Sequence, residues 1–256
     1  MSLLTNKAAR RRKSGKIIMM FFWALVGVGN TRPSVTPLRI EEKPVIDGVL
    51  DDAEWERATR ITDFGQVEPR EGETPTERTE VRVMMTDEAL YLGVICFDRT
   101  PAGVLARDRR RDSTGSGDDR LRIVIDPFAR GTEGYFFGIA AGGGLGDGIV
   151  RAGNRPEMEW DCIWNAKTLV TKEGWVAEVE IPFRSISFEP EQESWGFNVE
   201  RVIRRKEEKL RWASATRKKS LYSLEGAGRI TGMRDLKTGL GLDVRPAAVA
   251  RWRQEA

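Results

Sequence analysis

Two glutamates, Glu178 and Glu180, stand two positions apart in the segment WVAEVEIPF, and paired carboxylates are the groups that hydrolyse glycosidic bonds. On a β-strand both side chains share one face at about 7 Å, a separation that suits an inverting glycosidase. An alternating strand whose polar face meets water explains the same two residues without chemistry. We therefore keep a glycoside hydrolase as one of three functional hypotheses.

The sequence contains no histidine. This excludes Ser-His-Asp and Cys-His nucleophile systems, and the usual zinc sites that use histidine. A general base near neutral pH would have to be a carboxylate or a lysine with a shifted pKa. The composition therefore favours a binding or structural role over catalysis.

Three aspartates are candidate metal ligands, because carboxylate oxygens suit calcium. Asp118 and Asp119 precede the apolar run LRIVID, and Asp147 lies in the glycine-rich stretch GGGLGDG. Carboxylates in such positions also cap turns, which is the simpler interpretation. A structural calcium is the one cofactor that the sequence leaves open.

The acidic segment at 43–58, KPVIDGVLDDAEWERA, predicts a turn followed by a short helix. Asp51 is expected to be the N-cap, with Glu54 at the reciprocal capping-box position. Leu50, just before the cap, is expected to pack on Trp55 as a hydrophobic staple. The segment would then hold the start of the chain in place.

Asp47 and Gly48 are expected to form the tight turn of this segment. A calcium loop made by Asp47, Asp51 and Asp52 is the alternative, although the regular ligand spacing of an EF-hand is absent. We assign a structural role to six residues: Asp47, Gly48, Leu50, Asp51, Glu54 and Trp55.

Alternating apolar runs from Leu38 onward predict an all-β protein, an antiparallel β-sandwich with a short N-terminal helical turn. The run at 79–86 alternates strictly, and 90–97 is apolar on both faces, as in a central strand. Further strands are predicted at 121–126, 135–140, 160–170, 175–181, 195–204, 210–213 and 241–252.

The first sixteen residues carry six basic side chains and no acid, and thirteen apolar residues follow at 17–29. This pattern predicts a signal peptide at 1–30, hence export, with a retained membrane anchor as the alternative. Without those six cations the chain has 36 basic and 39 acidic residues, which argues against a nucleic-acid partner. Residues 31–37, with two prolines, are predicted to be a linker.

Trp160 and Trp164 are candidate sugar-binding residues, since the C–H face of a pyranose packs on an aromatic ring. In a regular strand they would lie on one side, about 13 Å apart. They form a platform if that side faces solvent and belong to the core if it faces inward. Cys96 and Cys162 could pair after export, and buried thiols are the preferred interpretation.

Five segments of the sequence resemble family 9 carbohydrate-binding-module-like domains, in particular the subgroup at the N-terminus of bacterial outer-membrane β-barrel proteins. The resemblance covers about residues 38–232 and is carried by 43–58, 86–101, 110–128, 157–188 and 193–214. It implies a jelly-roll type of β-sandwich, a sugar-binding ancestry and location in the periplasm or outer membrane. It also implies that residues 233–256 begin a following barrel domain.

Sugar-binding members of that family hold the ligand between two tryptophans, and they bind calcium. The first tryptophan position falls near Ser116 and the second near Leu221 or Tyr222, so the two-sided clamp is lost here. Tyr222 can still stack on a sugar. The resemblance therefore implies a one-sided site that uses Tyr222, beside the candidates Trp160 and Trp164.

Three hypotheses follow from these observations. The chain is a non-catalytic carbohydrate-binding-type domain of an exported outer-membrane protein linked to carbohydrate catabolism, a structural periplasmic domain that packs on a barrel, or a glycoside hydrolase. The basic runs at 107–111 and 201–209 are predicted to be solvated loops, with an anionic partner such as lipopolysaccharide or an acidic glycan as the alternative.

Overall fold

A computed structural model of the protein describes residues 32–113, 117–151, 153 and 155–238. The described part contains fourteen strands in two sheets and one short α-helix, α1, at Ala53–Arg57. Short 3-10 turns lie at Pro101–Gly103, Phe183–Ser185, Arg204–Lys206 and Leu224–Gly226.

The larger sheet has eight described strands: β1 Ser34–Val35, β4 Gly65–Glu68, β7 Arg120–Asp126, β8 Glu133–Ala140, β9 Leu145–Arg151, β12 Ser194–Ile203, β13 Glu208–Arg211 and β14 Gly228–Thr231. Its main order is β1-β14-β12-β7-β8-β9, and β13 joins β12 to β4. All pairs are antiparallel except β1 with β14, which run parallel.

The smaller sheet has six described strands: β2 Leu38–Arg39, β3 Thr59–Ile61, β5 Thr79–Met85, β6 Ala89–Phe97, β10 Asn165–Thr171 and β11 Gly174–Pro182. Its order is β10-β11-β6-β5-β2, with β3 also paired to β5. Only the β2–β5 pair is parallel among these. The prediction of an antiparallel β-sandwich is confirmed, with two short parallel pairs added.

The core lies between the sheets because alternate side chains of the long strands point inward. Ile123 of β7 and Phe197 of β12 belong to the same buried cluster as Leu92 of β6 and Val179 of β11. As predicted, β6 is a central strand, paired with β11 on one side and β5 on the other. Burial of these residues provides most of the driving force for folding.

Strand β10 begins at Asn165, so the prediction of a strand from Trp160 is wrong. Residues 160–164 run in irregular backbone before the strand, and the expected alternation of the two tryptophans does not apply there. Strand β9 was not predicted, because the glycines of LGDGIVR weaken the alternating signal. The strand predicted at 241–252 lies outside the described residues.

The sandwich begins before Leu38, because Ser34 and Val35, inside the predicted linker, pair with β14. The backbone N–H of Arg229 donates to the Pro33 carbonyl at 2.9 Å. The hydroxyl groups of Thr36 and Thr231 lie 2.7 Å apart. The predicted signal peptide lies outside the described residues. No helix in the described part is long and apolar enough to cross a membrane.

Helix α1 begins after Asp52, which is the N-cap and makes no side-chain cap hydrogen bond. The predicted capping box between Asp51 and Glu54 is therefore wrong. The Asp52 carboxylate instead accepts a hydrogen bond from the Val45 N–H at 3.2 Å, so it ties the turn to the helix. We call residues 45–58 the N-terminal clasp.

The hydrophobic part of the clasp agrees with the sequence analysis. Trp55 is fully buried in a small cluster on the outer face of the smaller sheet, with Tyr91 of β6, and Leu50 packs against this cluster. Gly48 has a φ of 97°, a left-handed conformation that glycine adopts without strain. Asp47 accepts a hydrogen bond from the Val49 N–H at 2.9 Å, as expected in a tight turn.

Both cysteines are free and buried, so the preferred interpretation of two buried thiols is confirmed. Burial raises the pKa of Cys96 to about 12. Burial also raises the pKa of Cys162. Both groups are therefore protonated, unreactive thiols near neutral pH.

The basic run at 201–209 lies in the hairpin of β12 and β13, and it is not, throughout its length, the predicted solvated loop. Arg201 is fully buried and donates to the carbonyl groups of Arg78 at 2.9 Å and Phe97 at 2.8 Å. Glu208 is buried and accepts a hydrogen bond from Gln66 Nε2 at 2.8 Å. These side chains satisfy polar groups between strands, which sequence patterning does not reveal.

Candidate functional site

An open cleft of about 580 Å³ lies on the face of the larger sheet that points away from the core. We call it the basic cleft, because seven of its described lining side chains are cationic: Arg120, Arg122, Arg155, Lys209, Arg211, Arg217 and Lys219. The other lining residues are Val67, Glu68, Phe136, Pro156, Met158, Glu200, Ser220, Leu221 and Tyr222.

Strand alternation puts the cations on the outer face. In β7, Arg120 and Arg122 line the cleft, whereas Leu121 between them is buried in the core. In β13, Lys209 and Arg211 are separated in the same way by the buried Leu210. Two strands of one sheet therefore each carry two cations toward the same cleft.

Aromatic residues form another part of the cleft lining. Phe136 of β8 is buried, and Tyr222 packs edge-on against it, with ring centroids 5.9 Å apart. Both rings belong to a small cluster with Val124 and Leu221, outside the main core. Tyr222 is half-buried, so part of its ring stays open to the cleft. Its hydroxyl accepts a hydrogen bond from Arg122 Nη1 at 3.5 Å.

The fully buried Glu200 of β12 anchors two of the guanidinium groups. Its carboxylate accepts hydrogen bonds from Arg211 Nε at 2.9 Å and Nη2 at 2.5 Å, and it also pairs with Arg122. Arg211 Nη1 donates to the Lys219 carbonyl at 2.8 Å and to the Ser214 carbonyl at 3.1 Å. Burial lowers the pKa of Arg211 to about 10, so it remains charged near neutral pH. These bonds hold the loop that carries Tyr222 against the sheet.

The structure places the three predicted sugar-binding residues in different surroundings. Tyr222 lines the basic cleft, whereas neither Trp160 nor Trp164 does. Trp164 is buried on Phe137, with ring centroids 5.1 Å apart, and Trp160 lies half-buried 4.9 Å from the Tyr135 ring. The three aromatic residues therefore do not form one surface, and a sugar-binding role for them stays a prediction.

The second family clamp position falls at Leu221 or Tyr222; both line the cleft, Leu221 is buried and Tyr222 is half-buried. The first position, near Ser116, lies outside the described residues.

The predicted calcium ligands each have protein partners. Asp118 accepts hydrogen bonds from the N–H groups of Arg107 and Asp108, both at 2.6 Å, which is a turn-capping role. Asp119 accepts one from the Arg204 N–H at 2.8 Å, and burial raises its pKa. In the part of the chain that the structure describes, Asp118, Asp119 and Asp147 do not form a common ligand group.

Asp147 instead lies close to Asp112 and Asp161, with one oxygen of each within 4.8 Å of the others. Arg111 Nη2 contacts Asp147 at 2.8 Å and Asp161 at 2.6 Å. Asp147 also accepts a hydrogen bond from Trp164 Nε1 at 2.9 Å. An arginine therefore supplies the positive charge at this acidic group.

Glu178 of β11 fastens the N-terminal clasp. Its carboxylate accepts hydrogen bonds from Trp55 Nε1 at 3.0 Å, the Asp47 N–H at 2.9 Å and the Gly48 N–H at 2.6 Å. Burial raises the pKa of Glu178 above its usual value, and these three donors act against that increase. The Glu178 carboxylate is therefore buried and engaged with donors of the protein.

Similarity to known proteins is found at the level of the fold. No family model and no curated protein matches the sequence. A family 9 carbohydrate-binding module from Caldicellulosiruptor kristjanssonii, solved in complex with glucose, matches with a TM-score of 0.55 and 16% identity over 84% of this chain and 100% of that chain. The chain has the fold of a family 9 carbohydrate-binding module.

Two further solved structures are similar to the chain. A module of that family from the same organism, in complex with cellotriose, has a TM-score of 0.52 and 18% identity over 85% of this chain and 100% of that chain. A candidate carbohydrate-binding protein from Bacteroides uniformis has a TM-score of 0.61 and 10% identity over 78% of this chain and 99% of that chain.

Of the seven cations of the basic cleft, only Lys209 lies in a basic run that was singled out from the sequence, at 201–209. Their signal is present in the sequence, because RLRIVID and EKLR each alternate basic and apolar residues. That alternation places Arg120, Arg122, Lys209 and Arg211 on outer faces. It does not reveal that the two strands share one sheet.

Proposed function

We propose that this chain is a non-catalytic carbohydrate-binding-type domain that holds its ligand in the basic cleft. The observation that carries the proposal is a cleft of about 580 Å³ in which an accessible aromatic ring, Tyr222, stands among charged hydrogen-bond donors. Ligand sites typically have volumes of about 300–1,000 Å³ and combine apolar surface with a few polar groups. The solved modules with the same fold were in complex with glucose and cellotriose.

The chemistry of the cleft suits a sugar. A half-buried tyrosine offers one face to the C–H groups of a pyranose, and guanidinium N–H groups donate to hydroxyl oxygens. Sugar-binding members of the family hold the ligand between two tryptophan rings, whereas the sequence here offers one aromatic ring for this purpose, that of Tyr222. We therefore expect affinities in the millimolar range, weaker than those of a two-sided clamp.

A binding role also agrees with the hydrogen bonds and ion pairs that engage the carboxylates of Glu178 and Glu200. Glu200, inside the cleft, is held by Arg122 and Arg211, and Glu178 is held by the N-terminal clasp. A glycosidase needs one carboxylic acid and one carboxylate on either side of the scissile bond. Neither glutamate is available for such a pair.

We further propose that the domain works outside the cytoplasm, in the periplasm or at the outer membrane, as part of carbohydrate catabolism. The basic head and apolar run at 1–29 support export, and the resemblance described above supports a following barrel domain. Fractionation of cells that express the full chain should place the protein outside the cytoplasm. Recovery in the cytoplasmic fraction alone would contradict this part of the proposal.

The binding site is tested with Tyr222→Ala and Trp160→Ala. We expect calorimetric titration with a panel of mono- and oligosaccharides to give millimolar dissociation constants for the unaltered chain. Loss of one stacking ring, about 1 kcal/mol, should weaken binding about fivefold or more in Tyr222→Ala. Trp160→Ala, which changes an aromatic residue outside the cleft, should bind like the unaltered chain.

The other outcomes separate the three hypotheses. Loss of binding in Trp160→Ala alone would move the site to the surface around that tryptophan. If no saccharide gives a measurable heat of binding, a structural domain that packs on a barrel is favoured. Release of shorter sugars, lost in Glu178→Gln or Glu180→Gln, would indicate a glycoside hydrolase.

A further inference from the structure

We infer that the ligand of the basic cleft is an acidic saccharide, one that carries carboxylate, sulfate or phosphate groups. The inference rests on the proposed function, because it names the ligand class of the same cleft. It is carried by the charges of the described lining residues, seven cations against the two carboxylates of Glu68 and Glu200, an excess of five positive charges.

This excess is local. Beyond the first sixteen residues the whole chain has 36 basic and 39 acidic residues, so it carries three more negative charges than positive ones. A cleft with a surplus of five cations on such a chain attracts anions selectively, since recessed charge of one sign focuses the field.

The two carboxylates of the cleft already have partners. Glu200 is shared by Arg122 and Arg211, and Glu68 pairs with Lys209 at 2.8 Å. The carboxylates of Glu68 and Glu200 therefore neutralise only part of the positive charge of the seven cations. Lys219 also lies 4.0 Å from Glu225, a carboxylate outside the lining. The described lining itself still carries more positive than negative charge.

Arg155 and Arg217 are the cations best placed to receive a ligand. In the described part of the chain, neither guanidinium forms a salt bridge with a carboxylate. Arg155 is exposed, and Arg217 donates to the carbonyl groups of Val67, at 3.2 Å, and Pro69. A guanidinium with free N–H groups binds carboxylate, sulfate or phosphate oxygens in a bidentate manner.

Like charges in the cleft repel one another. The pKa of Arg120 is lowered by burial and by the neighbouring guanidinium groups of Arg122 and Arg204. An anion bound beside Arg120 would offset the part of this shift that comes from like charges.

A saccharide fits the cleft better than a nucleic acid does. The cations surround one recess of about 580 Å³ that also contains Phe136 and Tyr222. A nucleic-acid strand needs a groove that follows its backbone over several nucleotides, with a base stacked on each aromatic ring. One recess with a single accessible ring suits one or two sugar units with an acidic substituent.

The test compares a galacturonic acid trimer with its fully methyl-esterified form, which keeps the sugar shape and removes the charges. We expect calorimetric titration of the full chain at low salt to give about tenfold tighter binding for the acid than for the ester. Sodium chloride at 0.5 M should remove most of this difference, because exposed charges are screened.

Arg155→Gln should lower the preference for the acid over the ester about threefold. Arg57→Gln is the matched control, because Arg57 is also exposed but lies on α1, in the clasp on the other sheet. It should keep the full preference.

Each outcome decides a separate question. Equal binding of acid and ester would overturn the inference and leave the proposed function intact. Failure of all saccharides, acidic and neutral, would overturn the proposed function itself. If inorganic sulfate competes as well as the trimer, or a single-stranded oligonucleotide binds more tightly than it, the cleft is not a saccharide site and the inference is wrong.

Discussion

At the scale of single residues, Trp55 and Gly93 form a contact that holds the N-terminal clasp on the smaller sheet. Gly93 lies on β6 beside Glu178 of β11, on the face that the clasp covers. A Cβ atom at Gly93 would lie 2.7 Å from Leu50 Cδ2 and 2.9 Å from Cε3 and Cζ3 of Trp55. The missing side chain is therefore what lets the indole ring lie against the strand.

Gly93→Ala should lower the free energy of unfolding by about 1–3 kcal/mol, because the added methyl group forces Trp55 and Leu50 apart. In most strands the same change would be favourable by about 0.5–1 kcal/mol, since alanine loses less backbone entropy. Urea unfolding followed by tryptophan fluorescence measures the difference.

Gly117→Ala is the control for this experiment, because among the described residues no heavy atom would lie within 4 Å of a Cβ atom there. We expect its unfolding free energy to stay within about 0.5 kcal/mol of the unaltered chain. Equal midpoints for the two variants would show that the clasp does not need the close contact.

At the scale of elements, the hairpin of β12 and β13 is joined to the ends of β5 and β6 by ion pairs. Asp98, just after β6, accepts hydrogen bonds from Arg205 Nη1 at 2.5 Å and Nη2 at 2.8 Å. Glu77 pairs with Lys206 at 2.5 Å. The hairpin belongs to the larger sheet and its acidic partners to the smaller one, so these bonds connect the two layers.

Asp98→Asn should destabilise the protein by about 2 kcal/mol at pH 7, because the buried carboxylate holds both N–H groups of Arg205. Burial tends to raise the pKa of Asp98, but hydrogen bonds from Arg205 and the Thr100 N–H outweigh it and lower the pKa below its ordinary value. Its stabilising effect is therefore complete above the unfolded pKa of about 3.9 and is lost as the pH falls below it.

Urea unfolding between pH 7 and pH 3 should show a smaller acid-induced loss in Asp98→Asn than in the unaltered chain. Glu189→Gln provides the control, since the Glu189–Arg130 pair is exposed and should contribute less than about 1 kcal/mol. Parallel pH profiles for Asp98→Asn and the unaltered chain would contradict the assigned role of Asp98.

The elements that could be predicted from sequence are the long ones with strict alternation. The strand predicted at 90–97 is observed at Ala89–Phe97, and that at 175–181 at Gly174–Pro182. Strands β1 and β2 have two residues each, too few for any period to appear. Their pairing depends on the rest of the fold, which a local pattern does not contain.

The candidate site was predictable only in part. Tyr222 could be assigned from the family register, and it does line the cleft. Arg155 and Arg217 come from loops that meet the strands only after folding, so no spacing in the sequence connects them. In the alternating pattern of its strand, Glu178 occupies a position that is expected to face solvent. It is buried because the N-terminal clasp covers it.

At the scale of the whole molecule, the basic cleft and the N-terminal clasp lie on the outer faces of different sheets. The cleft is built on β7, β12 and β13 of the larger sheet, and the clasp covers β6 and β11 of the smaller one. Ligand binding and fastening of the clasp therefore use separate residues. Variants of the cleft are expected to change affinity without weakening the clasp.

The parallel pairing of β1 with β14 has a mechanical consequence. If the chain is stretched from residues 32 and 238, the two strands are pulled in opposite directions along their axes. Their contacts, including the Thr36–Thr231 and Arg229–Pro33 bonds, are then loaded together instead of one after another. The pair should resist tension as a unit.

Single-molecule stretching measures this resistance. Thr231→Val removes a hydroxyl that contacts Thr36 and Val35, so it should lower the rupture force and reduce the unfolding free energy by about 1 kcal/mol. Thr168→Val, which removes a hydroxyl bond at the far edge strand β10, should leave the rupture force unchanged. Under tension, the two residues of β1 would thus decide when the sandwich opens.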